Sequence, residues 1–176
     1  MVKKAYPYPG QKARKRYAVT EEKTNVMRLL DQKKTAYTPH YYAAPDGAVD
    51  GATVAGLIGG APERVFKTLV TRGATGANYV FVVPVLRELD LKAAARAVGE
   101  KSVAMLRQAE LLPLTGYVHG GCSPLGMKKQ FKTVLDESAC PLETMVVSAG
   151  RIGAQVELAP ADLAALARAR FAPVSK

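Results

Sequence analysis

The 176-residue chain has no tryptophan, two cysteines and two histidines. Cys122 and Cys140 are too few for a disulfide scaffold, which packs more cysteines into a shorter chain. Neither stands in a CxxC pair, and His40 and His119 add no zinc-type ligand cluster. No apolar run is long enough to span a bilayer. The N-terminal stretch MVKKAYPYPGQKARKRYAV carries positive charge without the apolar block of a secretory signal. These absences point to a cytoplasmic protein, and the length suits one domain with one core. Acidic residues are missing from residues 1–20, where Lys3, Lys4, Lys12, Arg14, Lys15 and Arg16 supply six of the ten net positive charges. A basic excess favours a polyanionic partner, because Lys and Arg that neutralise phosphates release counterions. A solvated, solubilising surface has the same composition.

The pattern along the chain predicts a flexible basic arm over residues 1–20, since Pro7, Pro9, Gly10 and the charge run oppose packing. One globular unit follows over residues 21–176. Val26, Leu29 and Leu30 form one stripe of a helix over 21–34. Residues 35–42 have strand composition, and Pro39 places them at an edge. A short helix over 51–60 ends at Gly59-Gly60. The clearest hairpin joins 64–72 and 78–85 through GATGA. Asp90 caps a helix over 91–98 that Gly99 stops. A strand over 102–106, a helix or turn over 107–115, strands near 131–136, 143–148 and 154–158, and a helix over 160–171 complete the chain. Strands outnumber helices without strict βαβ alternation. The expected fold is therefore α+β, a mixed and largely antiparallel sheet curled toward a barrel with helices outside.

Three places could carry chemistry. In VFKTLV, alternation sets Lys67 on one face with Val65 and Leu69, and Phe66, Thr68 and Val70 on the other. Both faces are apolar, so the strand should be central, and a lysine there must snorkel, lower its pKa or meet an anion. A snorkelling edge lysine is the plainer alternative. The second place is Thr115–Gly126, where a strand should enter a loop holding Gly120 and Gly121, with Lys128 and Lys129 just beyond. Such glycines let a backbone approach a ligand and present N–H groups, though a tight turn needs them equally. The third is Ser148–Gly153, a hairpin turn in which Ser148 could face a pocket. No Ser-His-Asp or Cys-His arrangement follows from spacing, and His119 with Cys122 does not establish contact.

VFKTLV, TGYVHGGCSPLGMKK and VVSAGRIGAQVELAPADL together resemble, in order, the signatures of the YbaK/EbsC family of aminoacyl-tRNA deacylases. The resemblance covers roughly residues 22–172 and leaves out the basic arm. It implies a compact α+β, barrel-like domain and trans-editing of misacylated tRNA, with wording nearest the cysteinyl-tRNA(Pro) deacylases. Prolyl-tRNA synthetase cannot strongly reject cysteine on size, and a separate deacylase is one remedy. By the resemblance, Lys67 is the essential lysine with Thr68 beside it. Tyr42 and Ser148 line the pocket, and Gly120 and Gly121 form the glycine loop. The family commonly has an aspartate seven residues after the serine, where this chain has Gln155, and AAPDGA after Tyr42 lacks the usual acidic-histidine wording. Both departures bear on which amino acid is removed. The implied reaction uses the substrate's own thiol, which attacks the ester and leaves as a thiolactone. Backbone N–H groups near Gly120 and Gly121 stabilise the oxyanion, and Lys67 holds the terminal adenosine, its phosphate or developing charge. For substrates without a thiol, a ribose hydroxyl or water takes that part. No metal or organic cofactor is implied. The expected partner is the tRNA acceptor end, and prolyl-tRNA synthetase is a partner the resemblance leaves open. Alternatives are a deacylase for another misacylated tRNA, such as Ala-tRNA(Pro), and a non-catalytic tRNA- or synthetase-binding module.

Overall fold

The computed structural model describes residues 5–7 and 16–176. At the N-terminus, β1 (Ala5–Pro7) and β2 (Arg16–Ala18) pair antiparallel; the rest of the predicted arm before residue 16 lies outside the described residues. After Val19, which is buried, come α1 (Asn25–Gln32), β3 (Thr38–Tyr41), α2 (Gly51–Ile58), β4 (Phe66–Gly73), β5 (Asn78–Pro84), α3 (Leu91–Val98), β6 (Val103–Met105), α4 (Gln108–Thr115), β7 (Lys132–Asp136), β8 (Met145–Arg151), β9 (Ala154–Leu158), α5 (Pro160–Ala167) and β10 (Arg170–Ala172).

Local chemistry sets most of these boundaries. The Thr24, Asp50 and Asp90 side chains accept from the Met27, Thr53 and Ala93 N–H groups and so start α1, α2 and α3. Gly59 and Gly99 stop α2 and α3 in the left-handed conformation, at φ +70° and +74°. Two expectations need correction. The helix or turn expected over 107–115 is α4, but it runs into the glycine loop directly, where a strand was expected to enter it. The last helix ends at Ala167, because Arg168 turns left-handed at φ +51°. The chain then lays β10 parallel along the open edge of β7, with Arg170 opposite Val134. The apolar residues Ala169 and Phe171 would continue a helical stripe equally well, so the available sheet edge overrides local propensity.

The strands form a five-stranded mixed sheet in the order β10-β7-β5-β4-β6 and a three-stranded antiparallel sheet in the order β3-β9-β8. Pro39 lies on the edge strand β3, as expected. The sheets face each other across the main core, where Phe66, Val82 and Leu135 meet Met145, Val147, Val156 and Leu158 under α1 and α5. On the outer face of the larger sheet, Phe81, Val83 and Val134 pack against Ala94, Ala95 and Val98 of α3. The architecture is α+β with helices outside, but the sheets do not close into a barrel. They touch at one corner, where Val65 bridges Val146. Among the described residues, no helix is long and apolar enough to cross a membrane.

The C-terminus is fastened by one carboxylate. Asp136, buried at the end of β7, accepts from the Ser138 N–H and hydroxyl and from the Val174 and Ser175 N–H groups. Burial alone would raise its pKa, yet these hydrogen bonds hold it below the ordinary aspartate value. A depressed folded pKa gives stability that is complete above the unfolded value, near pH 4, and is lost as pH falls through the folded value. Asp136→Ala should cost about 2–3 kcal/mol at pH 7, and denaturant titrations should show the gap to the parent protein closing in acid.

Candidate active site

The gap between the two sheets beyond the Val65–Val146 corner opens into a cavity of about 330 Å³. Its floor is the first half of β4. One main-chain side of this strand is paired to β5, where the Val65 carbonyl accepts from the Val85 N–H at 2.9 Å. On the far side, the Val70 carbonyl accepts from the Leu106 N–H at 3.0 Å, and β6 pairs only with Thr71–Gly73. Backbone groups alternate sides along an antiparallel strand. The Thr68 main chain therefore faces the edge that β6 has left open. The Thr68 hydroxyl is buried in the cavity wall without a hydrogen-bond partner among the described residues, an arrangement that costs about 1–3 kcal/mol unless a ligand or water satisfies it. Lys67 lines the same cavity, half-buried, with no ion pair among the described residues.

The opposite wall comes from the smaller sheet. Ser148 on β8 and Gln155 on β9 are direct cross-strand partners. Their side chains therefore share one face at neighbouring positions, which gives the seven-residue spacing its physical meaning. Both are buried, at 9% and 5% exposure, and both line the cavity. The Ser148 hydroxyl accepts from the Gly150 N–H at 3.2 Å, and the Gln155 amide makes no hydrogen bond among the described residues. Gln155 also sits opposite His40 on β3. His40 instead bonds Glu157, whose carboxylate Thr144, His40 and Arg64 hold below the ordinary glutamate pKa. Tyr42, just past β3, is buried, donates its N–H to the Gly153 carbonyl at 3.0 Å and completes this wall.

The glycine loop closes the third side. Gly120 has φ +83°, and a Cβ there would lie 2.3 Å from the Ala48 Cβ, so neither the backbone nor the space admits another residue. Gly120 lines the cavity, and its N–H has no backbone partner among the described residues. Gly121 is placed differently. Its N–H donates to the Val118 carbonyl within a turn, and it packs behind the loop against Arg151 and Ile152. Six of the seven sequence-chosen residues thus share one cavity, and Gly121 supports it from outside.

Sequence reasoning missed Asp50, Val54 and Leu111 as wall residues. The signal for Asp50 was its place as a helix cap beside Gly51, where a Cβ would collide with Val85 at 2.2 Å. Asp50 accepts from both the N–H and hydroxyl of Thr53, chiefly the latter, which keeps its carboxyl below the ordinary value. His119 and Cys122 both line this cavity, with no hydrogen bond between them among the described residues, and burial pushes the Cys122 thiol up to about 12, leaving it protonated and non-nucleophilic near neutrality. Among the described residues, no group of three or more His, Cys, Asp or Glu side chains could hold a metal ion.

Comparison with known proteins gives a consistent result. Residues 47–166 match the family model described as the aminoacyl-tRNA editing domain. The chain is 44% identical over 156 residues to EbsC of Enterococcus faecalis strain ATCC 700802 / V583, covering 89% of this chain and 95% of that protein, whose name proposes Cys-tRNA(Pro)/Cys-tRNA(Cys) deacylation. A crystal structure of a proposed trans-editing enzyme for prolyl-tRNA synthetase superposes with TM-score 0.74 at 25% identity, covering 86% of this chain and 94% of that one. The hypothetical protein APE2540 shares the fold, with TM-score 0.77 at 24% identity over 86% of this chain and 99% of that one.

The two cysteines should separate chemically. Maleimide at pH 7 should label exposed Cys140 quickly and Cys122 at least tenfold more slowly, as read by peptide mass spectrometry. Equal labelling would contradict the buried, protonated state of Cys122.

Proposed function

This chain belongs to the aminoacyl-tRNA editing domain family, and we propose that its cavity removes a misattached amino acid from the 3′ end of tRNA, with Cys-tRNA(Pro) as the substrate and Cys-tRNA(Cys) as a related one. The observation that carries the reading is the meeting, in one cavity, of an unpaired lysine, an unpaired buried threonine hydroxyl and the free Gly120 N–H. A cation and hydrogen-bond donors without protein partners suit a ligand bringing phosphate, carbonyl and hydroxyl oxygens. The cavity volume lies at the small end for ligand sites, which suits a small aminoacyl group.

The ester linking amino acid to ribose is already activated, so the protein needs to orient it and stabilise charge. Lys67 holds the terminal nucleotide or the charge that develops on the ester. The Gly120 N–H, with Gly121 fixing the turn behind it, faces the carbonyl oxygen as it becomes an oxyanion. Tyr42, Thr68, Ser148 and Gln155 bound the amino-acid side. With cysteine as the aminoacyl group, the substrate sulfur attacks its own carbonyl carbon and the C–O bond to ribose breaks. The thiol proton ends on the ribose hydroxyl, and a thiolactone leaves. Prolyl-tRNA synthetase fits as the partner that supplies tRNA selectivity to so small a domain, and the reaction belongs in the cytoplasm, where tRNA is charged.

Gln155 favours a second reading. A neutral amide stands where the family commonly has a carboxylate, on the amino-acid side of the cavity, and this change of polarity keeps a deacylase for another misacylated tRNA, such as Ala-tRNA(Pro), as the alternative. The experiment is deacylation of a panel of misacylated tRNAs by the parent protein and Lys67→Ala. The expected result is release of cysteine from Cys-tRNA(Pro), abolished by S-alkylation of the substrate and lowered at least a hundredfold by Lys67→Ala, with the variant still folded. Near-parent activity in Lys67→Ala would remove the lysine from the mechanism.

We further propose that residues 1–20 contact tRNA phosphates without reading sequence. The root of this segment is tied beside the site, since Arg151 donates to the Thr20 and Glu22 carbonyls and its backbone packs on Gly121. Deleting residues 1–18 should weaken tRNA binding and flatten its salt dependence, with kcat at saturating tRNA little changed. Superimposable binding curves across a salt series would show the arm to be inert.

A further inference from the structure

The Tyr117 ring passes between two segments that carry site residues. Its hydroxyl donates to the Leu125 carbonyl at 2.5 Å, and its N–H donates to the Thr115 hydroxyl at 3.1 Å. Two glycines make room for the ring. A Cβ on Gly126 would lie 2.7 Å from the Tyr117 hydroxyl, and a Cβ on Gly150 would lie 2.8 Å from its Cε1. Gly126 ends the glycine loop, and Gly150 sits in β8 where its register shifts between Ser148 and Arg151, its N–H donating to the Ser148 hydroxyl. Tyr117 also packs against both the core between the sheets and the cluster of Val70, Val80, Cys122 and Phe131. One side chain therefore touches the loop that carries Gly120 and the irregular end of β8 that carries Ser148, on two sides of the cavity. Tyr117 itself is not among the cavity-lining residues.

We propose that Tyr117 is a positioning residue, which fixes the spacing between the Gly120 amide and the Ser148 end of β8 and so sets the geometry in which the ester is held. This rests on the deacylase reading above. Loops between elements are the least constrained part of a fold, and an amide aimed at an oxyanion must be held to a fraction of an ångström. The Tyr117 bond to Leu125 closes the loop as a ring from residue 117 to residue 125. The two glycines let the aromatic ring pin that loop to β8 without an intervening side chain. Burial pushes the Tyr117 hydroxyl up to about 12, so it remains a donor through the working pH range.

The test uses Tyr117→Phe, which keeps the ring and removes the donor, and Tyr117→Leu, which removes both. Deacylation kinetics with Cys-tRNA(Pro) are paired with amide hydrogen exchange on the ligand-free protein. For Tyr117→Phe the expected result is a fall in kcat of about tenfold with KM for tRNA unchanged. Exchange should quicken at residues 118–126 and 148–152, and protection in the core strands β5 and β7 should stay at parent values. Tyr117→Leu should deepen both effects. Parent-like kcat and parent-like loop exchange in both variants would overturn the proposal. So would a loss of protection spread evenly over the whole chain, which marks a general packing role. A parent protein that deacylates no tRNA would sink the deacylase reading, and the exchange experiment would still decide whether Tyr117 holds the two segments. If Tyr117→Leu fails to fold, Tyr117→Phe decides alone by the same kinetic and exchange readouts.

Discussion

The open edge of β4 is the constraint on which the rest of the molecule turns. Between Val65, which touches β8, and Val70, whose carbonyl accepts from the Leu106 N–H, the strand has a main-chain neighbour on one side only. Had β8 continued along β4 from the Val65–Val146 corner, the two sheets would have joined into a continuous wall and the Thr68 main chain would have been paired. The missing ladder and the cavity are therefore the same feature. The buried Thr68 hydroxyl has no partner among the described residues, so the unclosed corner leaves a group for water or a ligand to satisfy. α2, the glycine loop and the β8-β9 hairpin supply the remaining walls.

The charges follow from that geometry. Lys67 sits on a strand whose neighbours are apolar, and the acidic group nearest to hand in the wall, Asp50, is already engaged in capping α2 through Thr53. With a carboxylate at position 155 the cavity would contain a second anion beside Ser148. With Gln155 it does not, and the positive charge of Lys67 is left for whatever enters. At an effective dielectric near 20, unit charges 4 Å apart interact by about 4 kcal/mol, enough for one such substitution to change which ligands are favoured.

Much of this was legible in the sequence where the signal was local. Asp90 and Gly99 bounded α3, GATGA marked the β4-β5 hairpin, and Pro39 marked an edge strand, because caps, turns and proline restrictions act over a few residues. What depended on register or on tertiary competition was not legible. The facing of Ser148 by Gln155 became visible only with the β8-β9 pairing. β10 was invisible because Ala169 and Phe171 fit a helix as well as a strand, and only the free edge of β7 decides. The Gly120-Gly121 pair looked like two equivalent donors, yet the Gly121 N–H is consumed by a turn to the Val118 carbonyl, and the Gly120 N–H has no backbone partner among the described residues. Tyr117 was quoted within its motif without a role, since its partners, Leu125, Gly126 and Gly150, are read as ordinary loop residues until their spacing around one ring is seen.

The composition of the site also constrains the chemistry. Its residues come from five separate stretches of the chain, around Tyr42, Lys67, Gly120, Ser148 and Gln155, so the constellation exists only in the folded protein. None of them is an activated nucleophile. The Cys122 thiol is buried and protonated. The Ser148 hydroxyl is engaged by the Gly150 N–H, and no histidine or carboxylate hydrogen-bonds it among the described residues. A hydroxyl without a base is a poor attacker. What the cavity does offer is the Lys67 ammonium, the Thr68 hydroxyl and the Gly120 N–H, without protein partners among the described residues, groups of the kind that orient an ester and stabilise its oxyanion. On the reading proposed above, such a site serves a reaction whose attacking group arrives with the substrate. On that argument the selectivity for one aminoacyl group over another rests as much on whether the bound group can attack its own carbonyl as on how tightly it is held.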